Sequence, residues 1–233
     1  MSSGSHTLVV APTGSGKTLA AFLWALDRLT GAAAGPEPDR QHRCTVLYIS
    51  PLKALAVDVA RNLQAPLVGI TQTARRLGQP VRAVSLATRS GDTPAADRRR
   101  FSSHPPDILV TTPESLSLLL TSRARETLAG VQTVIVDEVH AVAGSKRGAH
   151  LALCLERLDE LLERPAQRIG LSATVRPVEE VARFLGGRAP VRVVTPESHK
   201  RWDLRVVVPV EDMTELGGSG TAPDGSQTPQ QSI

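Results

Sequence analysis

The chain has 233 residues, 41% of them hydrophobic and 21% charged, a balance ordinary for a globular protein and one that excludes wholesale disorder. No apolar run approaches the roughly 18 residues of a membrane-crossing helix, and Met1-Ser2-Ser3-Gly4-Ser5 has neither the basic nor the apolar region of a secretory signal. Net charge is +4, but five acids against one arginine from Asp203 onward leave 26 cations against 18 anions before it, a basic body that permits a polyanionic partner without requiring one.

Residues 1–6 read as a leader or a truncated N-terminus. Short apolar runs then alternate with helix-length amphipathic stretches. The runs are Leu8–Ala11, Cys44–Ser50, Val81–Leu86, Ile108–Thr111, Val131–Val136, Gln167–Ser172 and Val191–Val194. Several are apolar on consecutive residues, which suits central strands of a parallel sheet covered on both faces. Between them the periodicity predicts helices near 17–29, 53–77, 94–102, 113–121, 147–163 and 177–185. In the fifth, Leu151, Leu155, Leu158 and Leu162 recur at helical spacing. Strand–helix alternation of this kind implies an α/β fold with a doubly wound, mostly parallel sheet and helices on both faces. A last run, Leu204–Val210, reads as a departing strand, and residues 211–233 turn to Gly, Ser, Thr, Pro and Gln, as a flexible linker does. Cys44 and Cys154 lie far apart in apolar segments, as buried free thiols of a reducing compartment do.

The first strand runs into Ala11-Pro12-Thr13-Gly14-Ser15-Gly16-Lys17-Thr18, which opens the first helix. That is the context a phosphate-binding loop requires. Small residues let successive backbone N–H groups converge on phosphate oxygens, and the helix N-terminus adds a favourable partial charge. Lys17 is placed to reach the β and γ phosphates and the Thr18 hydroxyl to bind Mg²⁺. Val131–Val136 ends in Asp137-Glu138-Val139-His140. A carboxylate at the tip of a strand neighbouring the loop suits the Mg²⁺ shell, and the next acid suits orienting and deprotonating water. An Asp-Glu pair alone also occurs as a solvated turn, and a lone histidine is often structural; His140 fits relaying the nucleotide state better than acting as a base.

Five segments carry a family resemblance: Ala11–Thr18, Pro51-Leu52-Lys53-Ala54-Leu55, Thr111-Thr112-Pro113-Glu114-Ser115-Leu116, Asp137–His140 and Ser172-Ala173-Thr174. Their order resembles motifs I, Ia, Ib, II and III of superfamily 2 (DEAD/DEAH-box-like) helicases. Arg89-Ser90-Gly91-Asp92-Thr93, Gly144–His150 and Leu151–Leu158 resemble the Lhr (large helicase-related) type. The resemblance implies that residues 7–210 form the first RecA-like motor domain of an ATP-dependent helicase moving 3′ to 5′ on single-stranded DNA. It further implies that Thr13, Gly14, Ser15, Gly16, Lys17 and Thr18 bind ATP, that Thr18 and Asp137 hold Mg²⁺, and that Glu138 activates water. His140, Ser172 and Thr174 would couple hydrolysis to the nucleic-acid grip. Catalysis would rest on Lys17, Asp137 and Glu138.

The same resemblance puts Pro51, Leu52, Lys53, Gly91, Asp92, Thr111, Thr112, Pro113 and Glu114 along the strand track. Hydroxyls, loop N–H groups and helix N-termini meet phosphates without reading bases, so RNA or a hybrid is an alternative track to DNA. With 3% aromatic residues, base stacking does not dominate. Thr112 and Pro113 also make an ordinary helix start; Arg98-Arg99-Arg100 reads first as a solvated helix face, with phosphate contact as the alternative, and Lys146-Arg147, which begins a helix after a glycine-containing loop, has the same two readings. Two parts of the family pattern, the upstream segment that clasps adenine and the second RecA-like domain with its arginine fingers, are not in the sequence. The expectation is therefore weak nucleotide binding, slow or no hydrolysis and no unwinding by this chain alone. The expected location is the bacterial cytoplasm or nucleoid, with no membrane partner. The competing reading is a nucleic-acid-binding module with a vestigial loop, against which Lys17, Thr18, Asp137 and Glu138 are all intact.

Overall fold

A computed structural model describes residues 4–31 and 38–196; the expected strand Leu204–Val210, the linker 211–233 and residues 1–3 lie outside them. Strands β1 (His6–Val10), β2 (Val46–Ile49), β3 (Leu86–Arg89), β4 (Ile108–Thr111), β5 (Thr133–Val136), β6 (Gln167–Ser172) and β7 (Val191–Val194) form one sheet in the order β3-β4-β2-β5-β6-β1-β7. Every pairing is parallel. The helices are α1 (Lys17–Gly31), α2 (Lys53–Arg76), α3 (Ala95–Ser103), α4 (Pro113–Leu120), α5 (Val139–Ala143), α6 (Lys146–Leu161) and α7 (Val178–Gly186), with a 3-10 turn at Arg123–Leu128.

The consecutive apolar residues have the expected cause. Val46, Tyr48, Ile135 and Ile169 point to one face, where α1 and α2 cover them with Phe22, Leu26, Ala56 and Leu63. Leu8, Leu47, Leu109 and Val134 point to the other, under Leu116, Leu119, Leu151, Leu155 and Leu185 of α4, α6 and α7. A central strand with both faces buried cannot alternate apolar with polar residues. Cys44 and Cys154 are free and buried, and burial pushes the Cys44 thiol up to about 12. No helix among the described residues is long and apolar enough to cross a membrane.

One strand falls later than Val81–Leu86. β3 begins at Leu86, paired with Ile108, and upstream Ser85 faces Asp107. The next positions back along that neighbour are Pro106 and Pro105, which carry no N–H, so the ladder stops there. Two short elements escaped the periodicity altogether, α5 and the 3-10 turn, because neither is long enough to show a stripe.

α5 turns into α6 so tightly that a Cβ on Gly148 would lie 2.1 Å from the Val142 carbonyl oxygen. Ser145 caps α6 by accepting from the Gly148 N–H. Alanine normally favours a helix interior over glycine by about 1 kcal/mol. Here the backbone contact reverses the sign: Gly148→Ala is expected to destabilise by about 1–3 kcal/mol, read as a lowered melting temperature in thermal denaturation.

Candidate functional site

Parallel strands place their following loops at one edge of the sheet. The loop after β1 is held open by Gly14 and Gly16, at φ 75° and 83°, where a side chain would be strained. Nothing lies within 4 Å of a Cβ built on either, so the space above the loop is clear. The first turn of α1 carries no acid, which leaves its N–H groups and positive dipole end uncompensated by charge. The Lys17 ammonium donates to the Ala11 carbonyl at 2.7 Å and the Pro12 carbonyl at 2.9 Å, folded onto the loop itself.

The acidic pair follows β5, which is not adjacent to β1: β6 lies between them. Two devices bridge that extra strand. The β6 end touches the loop directly, with Ala11 N–H donating to the Ser172 carbonyl at 3.1 Å. Beneath it, the buried Tyr48 hydroxyl on β2 donates to Asp137 Oδ2 and hydrogen-bonds the Thr18 side chain. The phenol thus joins the two residues expected to hold Mg²⁺. Burial, then the Asp137 charge, push the Tyr48 pKa up, so the group stays a neutral donor. Phe22 of α1 stacks on the Tyr48 ring at 4.9 Å and fixes α1 over it. Asp137 Oδ1 accepts the Glu138 N–H at 2.9 Å, so both carboxylate oxygens are oriented.

Glu138 adopts φ 45°, ψ 43°, a left-handed conformation that costs a non-glycine residue of order 1–3 kcal/mol. The turn sends its side chain into the cavity of about 500 Å³ that Thr13, Gly14, Gly16, Lys17 and Thr18 also line. The other wall is apolar, with Leu19, Phe22, Val59 and Leu63. These residues fit a Mg²⁺-bound triphosphate: clear space over a glycine cradle, the Lys17 ammonium, the Thr18 hydroxyl and, tied to it through Tyr48, the oriented Asp137 carboxylate.

His140 Nδ1 lies 3.3 Å from both Ser172 Oγ and the Ala173 N–H, and 3.4 Å from Glu138 Oε2. The second acid, the β6 end and His140 are therefore in contact. Thr174 is exposed and its side chain makes no hydrogen bond to a described residue.

The strand-track residues gather at the same edge. Lys53 Nζ lies 2.9 Å from both Asp92 oxygens, which brings Gly91 against the Lys53 chain. Arg147 Nε donates to Glu114 at 2.6 Å and Nη2 to the Pro51 carbonyl at 2.8 Å, so α6, α2 and α4 share one tie. Arg147 holds the Glu114 carboxyl below the usual range. Leu52, Lys53, Gly91, Asp92 and Glu114 are exposed, whereas Pro51, Thr111, Thr112 and Pro113 are buried. The Thr111 hydroxyl donates to the Arg89 carbonyl and Thr112 caps α4 by accepting from the Ser115 N–H, so these side chains serve the fold. Tyr48 is the residue the motifs did not single out for the site, whereas Arg147 lies in the Gly144–His150 motif but pairs with Glu114 and the Pro51 carbonyl. A lone tyrosine inside an apolar strand, needing a buried partner for its hydroxyl, was the available signal for Tyr48.

The family model for DEAD/DEAH box helicases matches residues 1–182. The Lhr helicase/probable uracil glycosylase of Mycolicibacterium smegmatis is 63% identical over 224 residues, covering 96% of this chain and 15% of that protein. The Lhr helicase/uracil glycosylase of Escherichia coli is 60% identical over 223 residues, 94% of this chain and 14% of that protein. The chain thus spans about one seventh of the length of these relatives. A solved structure of Mycobacterium smegmatis Lhr bound to ssDNA and AMP-PNP superposes with a TM-score of 0.80 at 64% identity, over 93% of this chain and 27% of that one.

Removing the Tyr48 hydroxyl leaves a buried Asp137 oxygen without its donor, at a cost of about 1–3 kcal/mol. Tyr48→Phe is expected to lower the melting temperature and weaken nucleotide binding several-fold with Mg²⁺ present, and to leave Mg²⁺-free binding unchanged. Titration of a fluorescent nucleotide with and without Mg²⁺ reads the difference.

Proposed function

The chain belongs to the DEAD/DEAH box helicase family, and on that premise we propose that it is the ATP-binding first motor domain of an Lhr-type helicase. The observation that carries the reading is that Lys17, Thr18 and Glu138 line one cavity while the Tyr48 hydroxyl ties Thr18 to Asp137 beside it. In this reading residues 7–210 form the RecA-like domain and residues 211–233 lead to a second one. The loop N–H groups and Lys17 bind the triphosphate of ATP, while Thr18 and Asp137 hold Mg²⁺, which supplies charge neutralisation at the β and γ oxygens. Glu138 orients and deprotonates the attacking water. His140, touching both Glu138 and Ser172, is the relay between the hydrolytic edge and the nucleic-acid edge, with Ser172 and Thr174 on its far side.

Single-stranded DNA is the proposed track, contacted through Pro51–Lys53, Gly91–Asp92 and Thr111–Glu114 by backbone groups and helix N-termini, with motion 3′ to 5′. The ssDNA-bound Lhr relative supports this choice over RNA. Lys17 is the cation among the cavity's lining residues, and an arginine from the second domain would add a further 10³–10⁵ in rate. The 233-residue chain is accordingly proposed to bind ATP, to hydrolyse it slowly and not to unwind duplexes alone. A cytoplasmic location accords with its free thiols.

Lys17→Ala is expected to weaken ATP–Mg²⁺ binding more than tenfold, by loss of charge-assisted contacts worth about 1.5–3 kcal/mol each, with the melting temperature unchanged within about 2 °C. Equilibrium binding of a labelled nucleotide measures this. DNA-stimulated hydrolysis by the monomeric chain at rates typical of intact motors would overturn the proposal of slow turnover.

A further inference from the structure

Next to the Gly91–Thr93 loop lies an open cavity of about 740 Å³ lined by five arginines. They come from four segments: Arg40 ahead of β2, Arg89 at the end of β3, Arg98 and Arg99 on α3, and Arg123 in the 3-10 turn. Ser102, at hand on α3, adds a hydroxyl, and Glu126 is the one acid on the lining. No ion pair joins Arg40, Arg89, Arg99 or Arg123 to an acid among the described residues. Arg89 lies over the Phe101 ring at 5.3 Å, with its Nη1 enclosed and without an acceptor. A charge run on a solvated helix face does not look like this: the guanidiniums converge from separate parts of the chain onto one concave surface.

The cavity is also continuous with the proposed strand track. Arg98 donates from Nε to the Thr93 carbonyl at 2.8 Å and from Nη2 to the Gly91 carbonyl at 2.9 Å. The same side chain that lines the cleft therefore shapes the Gly91–Thr93 loop. Burial and the neighbouring Arg98 charge lower the Arg89 pKa, as expected of cations crowded without a counter-charge.

We propose that this arginine cleft is a second nucleic-acid site, which takes the phosphodiester backbone of single-stranded DNA running past the Gly91–Thr93 loop. The inference rests on the helicase reading above and extends its track. Guanidiniums match phosphate oxygens in pairs, and the sparse aromatics of the cleft fit recognition of backbone rather than base.

The test is equilibrium binding of a labelled twenty-nucleotide dT strand across a salt series. The variants are R40A/R99A/R123A, its lysine counterpart R40K/R99K/R123K, and a charge-matched control at exposed arginines elsewhere, R61A/R164A/R188A. All nine substitutions sit on exposed side chains, and thermal melting checks that each variant is folded. Each contact to a single strand contributes about 0.7 to the log–log salt slope. The alanine triple is expected to bind at least tenfold more weakly at low salt with a slope smaller by about 2, while the lysine triple and the control keep the wild-type slope. An unchanged slope in the alanine triple would overturn the cleft site and leave the strand track standing, as would an equal loss in the control, which would mark diffuse charge. No binding by the wild-type chain would overturn both readings.

Discussion

In an all-parallel sheet every strand delivers the chain to the same edge, and that single directional constraint determines what this molecule can do. β1, β2, β3, β4, β5 and β6 each end where a loop is needed, and six sequence motifs become neighbours without any long-range device of their own. The cost is that the edge is crowded with polar groups over a largely apolar interior. The structure resolves it with a buried tyrosine. Tyr48 carries a hydroxyl up from the sheet between Thr18 and Asp137, and the stack with Phe22 keeps α1 seated above it. A hydrogen bond to a carboxylate in a dry site is worth more than its surface equivalent, so the phosphate loop and the acidic turn are registered by the core itself.

The outer contacts are of another kind. Lys53 with Asp92 and Arg147 with Glu114 are exposed ion pairs, which contribute at most about 1 kcal/mol each to stability. Their consequence is positional. Arg147 also binds the Pro51 carbonyl, so one side chain links the loop after β2, the start of α4 and the start of α6. His140 occupies the middle ground between the two sets, its Nδ1 facing Ser172, the Ala173 N–H and the Glu138 carboxylate at once.

Much of this was legible in the order of residues. Consecutive apolar positions gave the buried parallel strands, and the glycines between strand and helix gave the open loop ahead of α1. What stayed hidden has physical causes. The late start of β3 depends on Pro105 and Pro106 in its partner strand, a cross-strand effect that no local window contains. Periodicity says nothing about strand order, so the intervening β6 and the reach of Tyr48 were invisible. Thr111 read as an outward hydroxyl from its motif, yet it is buried because that hydroxyl completes a hydrogen bond within the sheet edge, while Thr112 is the buried helix cap that its Thr-Pro start signalled. The convergence of Arg40, Arg89 and Arg123 with α3 likewise needs the fold before it can be seen.

The position of the Lys17 ammonium, seated on the carbonyls of Ala11 and Pro12, has a bearing on selectivity. Neutral oxygens hold a cation less strongly than anionic ones do, so a ligand draws the side chain away only when it offers concentrated negative charge. An uncharged nucleoside has nothing to exchange for those two bonds. For the proposed triphosphate ligand, the loop would thus respond to how many formal charges arrive.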